Sequence, residues 1–174
     1  MKDTKVIAAF PACGKTYCFD RNEDYIILDS DSSKFSWMIE EVEDPCYAFI
    51  DNGTITPVIH KNKVRNPDFP KNYIEHIKEN IGKVDYIFVS THEDVRNALT
   101  EAGIDFILVF PEQSLRDEWV GRCFNRGSGE KFCQLISDKW DDWILQMEFD
   151  VVTNNRKHYR LKHGEYLSNV LERL

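Results

Sequence analysis

The 174-residue sequence lacks the features that mark membrane, fibrous and multidomain proteins. No apolar run approaches the ~20 residues that a bilayer-spanning helix requires. No internal repeat, low-complexity tract or linker interrupts the chain, which has only 8 Gly and 6 Pro. A signal peptide is not expected, because only Val6 to Phe10 are apolar before Pro11. We therefore expect one cytoplasmic domain spanning residues 1–174.

Cysteine and histidine patterns that would indicate a disulfide framework or a zinc site are also missing. The cysteines are odd in number and include no C-x-x-C pair, and the five histidines show no H-E-x-x-H spacing. We expect reduced thiols and no transition-metal site. The cysteines are Cys13, Cys18, Cys46, Cys123 and Cys133.

Positive charge is scarce, with 22 basic residues against 30 acidic ones and a formal net charge of −8. Proteins that hold long nucleic acids through the phosphate backbone are usually basic, so non-specific binding of this kind is disfavoured. A local basic patch is still compatible with the total. The hydrophobic content of 42% is too high for a disordered chain.

The sequence does contain an alternation of short apolar runs and amphipathic stretches. This alternation predicts an α/β domain, with a mostly parallel sheet and helices on both of its faces. The predicted strands are residues 6–10, 25–28, 85–89, 104–110 and 158–161. The predicted helices cover residues 35–42, 73–81, 95–102, 115–124 and 132–147, and a last one starts near residue 165.

Three local features refine this prediction. Ser90-Thr91-His92-Glu93 matches a helix capping box. The middle segment, residues 46–70, is rich in turn signals and is predicted to hold a small hairpin near Asn52-Gly53. Trp140 and Trp143, in the helix predicted at residues 132–147, are expected to anchor the core rather than to stack on bases.

The most informative stretch is residues 9–16, Ala-Phe-Pro-Ala-Cys-Gly-Lys-Thr. It has the spacing of the phosphate-binding motif G-x-x-x-x-G-K-[ST], with Ala9 in place of the first glycine. An alanine is tolerated there if its φ stays negative. The alternative is a chance Gly-Lys-Thr in a turn, but the motif directly follows a predicted strand, as phosphate loops do.

Each residue of the predicted loop has a chemical task. The backbone amides of residues 12–16, which include Ala12 and Cys13, would surround an anion. Gly14, which has no side chain, would allow the anion to come close to the backbone. Lys15 would contact the β and γ phosphates, and the Thr16 hydroxyl would bind Mg²⁺. Cys13 is expected to be a small structural residue rather than a nucleophile.

Two other classes of phosphate-binding protein fit less well. A GTPase should carry an N-K-x-D signature, which the sequence lacks. A motor ATPase usually has a strand that ends in Asp, whereas the predicted strand at residues 85–89 is followed by Ser90-Thr91-His92. Of these three classes a kinase fits best, although no residue is yet assigned as the carboxylate that usually holds magnesium in such proteins.

Asp29 and Asp31 are the candidates for the missing carboxylate. Both follow the second predicted strand, and in a parallel sheet they share the carboxyl edge with the phosphate loop. Either could orient an acceptor hydroxyl or hold Mg²⁺ through water, and Asp31 is preferred. The alternative is an ordinary Asp-Ser turn that caps a helix.

Arginines near the helix at residues 115–124 are candidates for a lid over residues 112–131. Arg122 and Arg126 are four residues apart and share a helix face ahead of Gly127-Ser128-Gly129. They are expected to stabilise charge on a transferring phosphoryl group, with Arg116 contacting the nucleotide. A solvated basic stripe explains the same pattern equally well.

Several segments resemble small P-loop kinase-like proteins of bacteriophages, which are often described as nucleotide kinases or adenylate-kinase-like. The resemblance covers about Val6 to Leu167 and is carried by F-P-A-C-G-K-T, L-D-S-D-S-S-K-F-S-W, N-P-D-F-P-K-N-Y-I-E-H-I-K, F-V-S-T-H-E-D-V-R, F-P-E-Q-S-L-R-D-E-W and C-F-N-R-G.

This resemblance implies a five-stranded parallel sheet, a lid, and ATP with Mg²⁺ as the phosphoryl donor. It places Gly14, Lys15 and Thr16 in the ATP-binding motif and Asp29 and Asp31 on the acceptor side. It also places Arg122 and Arg126 in the lid and residues 66–73 over the acceptor. No residue matches the usual strand-end carboxylate.

Three hypotheses follow. The first is an ATP-dependent kinase acting on a nucleoside, nucleoside monophosphate or similar small acceptor. The second is a polynucleotide 5′-hydroxyl kinase or a kinase of modified DNA bases, for which basic residues at 61–71 and 156–162 would line a channel. The third is a nucleotide-binding module without catalysis, suggested by the missing carboxylate.

Overall fold

The computed structural model describes residues 2–51 and 53–174. Seven strands and seven α-helices are defined within these residues, together with short 3₁₀ turns at Gln113–Leu115 and Leu171–Arg173. The strands are β1 (Lys5–Ala9), β2 (Ile27–Asp29), β3 (Trp37–Asp51), β4 (Thr54–Arg65), β5 (Tyr86–Val89), β6 (Phe106–Pro111) and β7 (His158–Leu161). The helices are α1 (Lys15–Arg21), α2 (Ser33–Ser36), α3 (Lys71–Asn80), α4 (Glu93–Glu101), α5 (Arg116–Asn125), α6 (Glu130–Thr153) and α7 (Leu167–Val170).

Five strands form one parallel sheet in the order β2-β5-β1-β6-β7. The central strand β1 pairs with β5 on one side and with β6 on the other, with Ile7 opposite Phe88 and Ile107. All residues of β5 and β6 are buried. Continuous apolar runs suit strands that are covered on both faces, and this confirms the predicted α/β sheet flanked by helices.

Two tryptophans anchor helices to the core; Trp140 does so as predicted, whereas Trp143, predicted to do the same, is only half-buried. Trp119 on α5 and Trp140 on α6 are at most 1% exposed. Each indole N–H donates to a backbone carbonyl, Trp119 to Pro11 at 2.9 Å and Trp140 to Gln113 at 2.8 Å. The first of these bonds ties α5 to the loop that follows β1, so core packing also positions that loop.

A buried ionic cluster joins α4 to α6. Asp150 accepts from Arg96 at 2.6 Å and from Arg156 at 3.0 Å, and all three side chains are less than 10% exposed. Burial alone would raise the pKa of Asp150, but hydrogen bonds from Asn154 and the two arginines outweigh it and lower that pKa. Arg96 is therefore a structural residue in this fold.

Strands β3 and β4 form a separate antiparallel ribbon, where the sequence predicted a helix at residues 35–42. Only Ser33–Ser36 is helical, and Met38 and Val42 lie in β3 opposite Val64 and His60. The helix prediction is wrong because residues 37–42 pair with β4, 18 to 28 positions further along the chain, and this long-range pairing overrides the local helical spacing of the apolar residues. None of the ribbon residues whose burial is described is buried.

The predicted hairpin near Asn52-Gly53 falls at the turn of this ribbon, although Asn52 itself lies outside the described residues. The ribbon begins at Trp37, ahead of the middle segment of residues 46–70 that the sequence sets apart. The predicted capping box is also wrong, because α4 has His92 as its N-cap and makes no side-chain capping bond. In the part of the chain that the structure describes, no helix has the length and apolarity needed to cross a membrane.

Candidate functional site

The loop between β1 and α1 has an unusual backbone. Ala12 has a φ of 59° and Gly14 a φ of 95°, both in the left-handed region, and Gly14 is the N-cap of α1. A Cβ on Gly14 would lie 3.4 Å from the Tyr166 ring, an ordinary contact, so it is the positive φ rather than lack of space that favours glycine here. Ala9 ends β1 outside the left-handed region, which explains why alanine is tolerated at that position.

The Lys15 side chain folds back onto its own loop. Its ammonium donates to the carbonyl oxygens of Ala9 at 2.7 Å and Phe10 at 3.2 Å. The positive charge is thereby held beside the loop rather than extended into solvent. Lysine is a compact, mobile donor, so such contacts can be exchanged for a phosphate oxygen at little cost.

Thr16, the next residue, reaches a carboxylate on a neighbouring strand. Its hydroxyl donates to Asp29 Oδ2 at 3.0 Å, and Asp29 is the last residue of β2. The sequence predicted a carboxylate near Thr16 and preferred Asp31. In the structure Asp29, rather than Asp31, is the carboxylate that contacts Thr16.

Asp31 instead organises the turn that follows β2. Its two oxygens accept from the Ser33 amide at 2.9 Å and the Ser33 hydroxyl at 2.8 Å. This is the Asp-Ser turn that the sequence left as an alternative. Asp31 stays exposed, and the structure does not bring it to Thr16 as the predicted metal ligand.

A cavity of about 850 Å³ opens beside the loop. It is bounded by the β1–α1 loop and α1, by the end of α5, and by the segment from β7 into α7. The lining residues that matter below are Gly14, Lys15, Thr16, Arg126, Tyr166 and Asn169. The β7–α7 segment joins the loop through a hydrogen bond from the Leu167 amide to the Cys13 carbonyl at 2.8 Å.

Arg122 lines the same cavity but is not free to act as a lid arginine. Its guanidinium lies 3.9 Å from the ring centroids of both Trp119 and Tyr166, and the side chain is 8% exposed. It donates to the Glu118 carboxylate and, at 2.8 Å, to the Glu165 carbonyl. Arg122 therefore fixes the β7–α7 segment against α5 and places Tyr166 beside Gly14.

Glu118 completes this anchor. Besides Arg122, it accepts from the Gly164 amide at 3.0 Å, and His163 Nδ1 lies 2.7 Å from its second oxygen. Burial alone would raise the pKa of Glu118, but the Gly164 and Arg122 hydrogen bonds outweigh it and lower that pKa. The carboxylate is thus ionised at neutral pH and holds both sides of the cavity together.

The two remaining lid candidates differ. Arg126 is exposed, bonds only the nearby Ser128 hydroxyl and lines the cavity, so it can turn toward a bound phosphate. Arg116 donates to Ser137 on α6 at 2.9 Å and does not line the cavity, so its predicted nucleotide contact is not supported. Arg116 lies six positions before Arg122, a spacing that rotates its side chain by about 240° around the helix axis relative to Arg122. The two arginines therefore point in different directions.

Cys13 and Cys18 are structural thiols. Both are buried, and burial is the main cause that raises their pKa values, that of Cys18 to about 12. The thiols remain protonated at neutral pH and are poor nucleophiles. Cys13 contributes its backbone to the loop, in keeping with the sequence prediction.

On the other side of the loop, the base of the ribbon meets α4. Arg65 donates to Asp94 at 3.1 Å and lies 4.6 Å from the Phe69 ring. His92 lies near Arg65, Lys15 and Arg96; desolvation by the surrounding protein and these positive charges lower its pKa. His92 is therefore neutral at pH 7 although it remains exposed.

Sequence reasoning missed several residues of this site. Tyr166, Asn169 and Glu118 belong to it through contacts across more than 40 residues. His92 falls in a stretch that the sequence assigned only to helix capping. No local signal identifies them.

Comparison of the chain with protein-family models, with curated proteins and with solved structures finds no match.

Proposed function

We propose that this protein is a P-loop kinase that transfers the γ-phosphate of ATP to a nucleoside, nucleoside monophosphate or similar small acceptor. The observation that carries the proposal is the hydrogen bond from the Thr16 hydroxyl to Asp29. Thr16 directly follows Lys15, at the end of a loop in which Ala12 and Gly14 have positive φ. The sheet supports it as well. Strand β1 lies at the centre of the order β2-β5-β1-β6-β7, where the connections diverge and α/β proteins bind ligands.

Magnesium would suit this donor set. The Thr16 hydroxyl and the Asp29 carboxylate are hard oxygen ligands, which Mg²⁺ prefers, and Mg²⁺ commonly retains waters that a carboxylate can hold. Bound there, the ion would offset negative charge on the donor phosphates. Among the described residues no group of three His, Cys, Asp or Glu side chains is clustered as a metal site, so phosphate oxygens would supply the remaining ligands.

The chain's own groups divide the remaining work. Backbone amides of the loop and Lys15 would hold the triphosphate, while Tyr166 and Asn169 would border the nucleoside of ATP in the 850 Å³ cavity. Arg126 would stabilise charge on the transferred group, and Asp31 would orient the acceptor hydroxyl. Arg122 acts indirectly, by holding Tyr166 in place.

A panel of acceptors tests the proposal. The protein would be incubated with ATP labelled at the γ-phosphate and with nucleosides, nucleoside monophosphates, 5′-hydroxyl oligonucleotides, and 5′-blocked oligonucleotides carrying a hydroxymethylated base. Label on a nucleoside or monophosphate supports the main proposal. Stabilisation by ATP without transfer to any acceptor would favour a non-catalytic nucleotide-binding module.

Asp29→Asn and Asp31→Asn should separate the two carboxylates. Asp29→Asn removes the charge beside Thr16, so we expect Mg²⁺ to bind the ATP complex roughly 10- to 100-fold more weakly, as for other groups that support a metal. Asp31→Asn preserves the turn and should leave Mg²⁺ binding unchanged while lowering turnover. Calorimetric Mg²⁺ titration measures the first effect. A larger loss of Mg²⁺ affinity in Asp31→Asn would contradict the assignment.

A second candidate acceptor is a polynucleotide, and the ribbon favours it. Lys61, Lys63 and Arg65 alternate along β4 and so share one face with Trp37, which pairs with Arg65. The Lys63 ammonium lies 5.1 Å and the Arg65 guanidinium 5.6 Å from the Trp37 ring centroid. A basic row beside an exposed aromatic ring resembles a single-strand binding surface. Glu41 offsets part of this charge through its ion pair with Lys61 at 3.1 Å.

Trp37→Ala tests this alternative. If a single strand stacks on Trp37, the variant should use oligonucleotide acceptors roughly 5- to 100-fold less well, from the usual strength of base stacking, and nucleosides equally well. Kinetics with both acceptors at two salt concentrations would measure the effect. Equal use of oligonucleotides by the variant and the wild type would leave the basic face as a solvated surface.

A further inference from the structure

A second cavity, of about 470 Å³, lies behind the phosphate loop between α4 and α6. The Phe10 ring forms one wall of it, and the Phe10 carbonyl also accepts from Lys15 at 3.2 Å. The start of α4, with Thr91 and His92 just before it, borders the same space. The cavity therefore adjoins the residue that holds the Lys15 ammonium, yet it differs from the cavity assigned above to ATP.

Aromatic and apolar surface covers part of this space. The Phe10 and Trp143 rings meet edge to face with centroids 6.3 Å apart, and Met147 lies one turn further along α6. Phe10 and Met147 are at most 2% exposed, whereas Trp143 is only half-buried. A flat ring could thus pack against Trp143 without disrupting the core.

Two amide side chains complete the lining from opposite helices, Asn97 on α4 and Gln146 on α6. Both side chains are exposed where they line the cavity, so their amide groups can be reached by a ligand. Each amide offers both donors and an acceptor, which is the pattern that reads the edge of a nucleobase.

Charge around the cavity favours a neutral ring over a phosphate inside it. Glu93 and Asp94 border the cavity, and Arg96, which borders it as well, is already paired with Asp150 at 2.6 Å. The groove that continues from Asn97 and Gln146 adds the exposed carboxylate of Asp142. An anion there would meet like charges, whereas the cations Lys15 and Arg65 lie near His92 at the mouth. A nucleotide would enter with its base inward and its charged groups toward the phosphate loop.

We propose that this cavity binds a nucleobase, with its edge at Asn97 and Gln146 and its face on Trp143. That the base belongs to the phosphoryl acceptor rests on the proposed kinase function; the binding itself does not. The base comes from a free nucleoside or from a residue of a single strand, since Arg65 connects the basic face of the ribbon to Asp94 at the mouth.

Nucleoside binding without ATP tests the inference. Wild-type protein would be titrated by calorimetry with each 2′-deoxynucleoside and with free 2′-deoxyribose. Gln146→Leu and Asn97→Leu remove one amide each at exposed positions, so both variants should fold. We expect each to bind the preferred nucleoside about 5- to 150-fold more weakly, the usual range for a base-reading contact. Gln134→Leu, on α6 outside the cavity, is the matched control and should bind normally.

The results also separate this inference from the proposed function. Absence of nucleoside binding, or binding equally strong in both amide variants, overturns it. Intact nucleoside binding without phosphoryl transfer would reject the kinase and leave the base site standing. Competition between a nucleoside and an oligonucleotide with one base, against the same oligonucleotide with that base removed, identifies the source of the base.

Discussion

If the protein is the proposed kinase, Lys15→Ala is expected to abolish phosphoryl transfer and to remove the thermal stabilisation expected of Mg²⁺ and ATP in the wild-type protein. Lys15 is the cation nearest the loop, and its ammonium is already held by the Ala9 and Phe10 carbonyls. Loss of a preorganised donor at developing charge typically slows a reaction by about 100- to 1,000-fold. Transfer assays and thermal shift measurements with increasing ATP would record both effects.

The fold should tolerate this substitution, because the Lys15 head group contacts only two carbonyls of its own loop. Circular dichroism and urea unfolding check this point. Lys78→Ala, an exposed position on α3, is the matched control and should retain both transfer and stabilisation. Unchanged turnover in Lys15→Ala would reject the proposed donor site, whatever the acceptor.

The sheet could be predicted from the sequence because its signals are local. Strands β1, β5 and β6 are continuous apolar runs between turn residues, and burial on both faces is what such runs favour. The ribbon could not be predicted in the same way. Ile39 pairs with Lys63 and Glu41 with Lys61, and these pairings make residues 37–51 a strand. Both strands are needed to recognise the ribbon, and no short stretch of sequence contains both.

The candidate site shows the same division. Gly14, Lys15 and Thr16 are contiguous, so their spacing predicts a phosphate loop directly. The choice between Asp29 and Asp31 depends on where β2 ends. Asp29 is still in the strand and reaches Thr16, whereas Asp31 lies beyond the strand and bonds Ser33. A difference of two residues therefore assigns the carboxylates different roles.

Arg122→Ala should destabilise the protein far more than Arg126→Ala, although the sequence treats the two as a pair. Removing Arg122 leaves the Glu118 carboxylate, 19% exposed, without its ion-pair partner on α5 and removes the guanidinium from between the Trp119 and Tyr166 rings. Breaking a buried ion pair from one side typically lowers the free energy of unfolding by about 3–5 kcal/mol. Arg126→Ala, at an exposed position, should change it by less than ~0.5 kcal/mol.

Urea unfolding measures the free energy of unfolding of both variants. A phosphoryl-transfer assay should distinguish them the other way round, with a direct loss of turnover in the stable variant. Arg126→Ala is expected to lower turnover in a fully stable protein, because Arg126 is exposed and lines the cavity where the proposed phosphoryl transfer would take place. Arg122→Lys should recover part of the lost stability, since it retains the charge near Glu118 but not the planar stacking on Tyr166. Equal stability of Arg122→Ala and Arg126→Ala would contradict the anchoring role of Arg122, because Tyr166 would then keep its place beside Gly14 without the guanidinium.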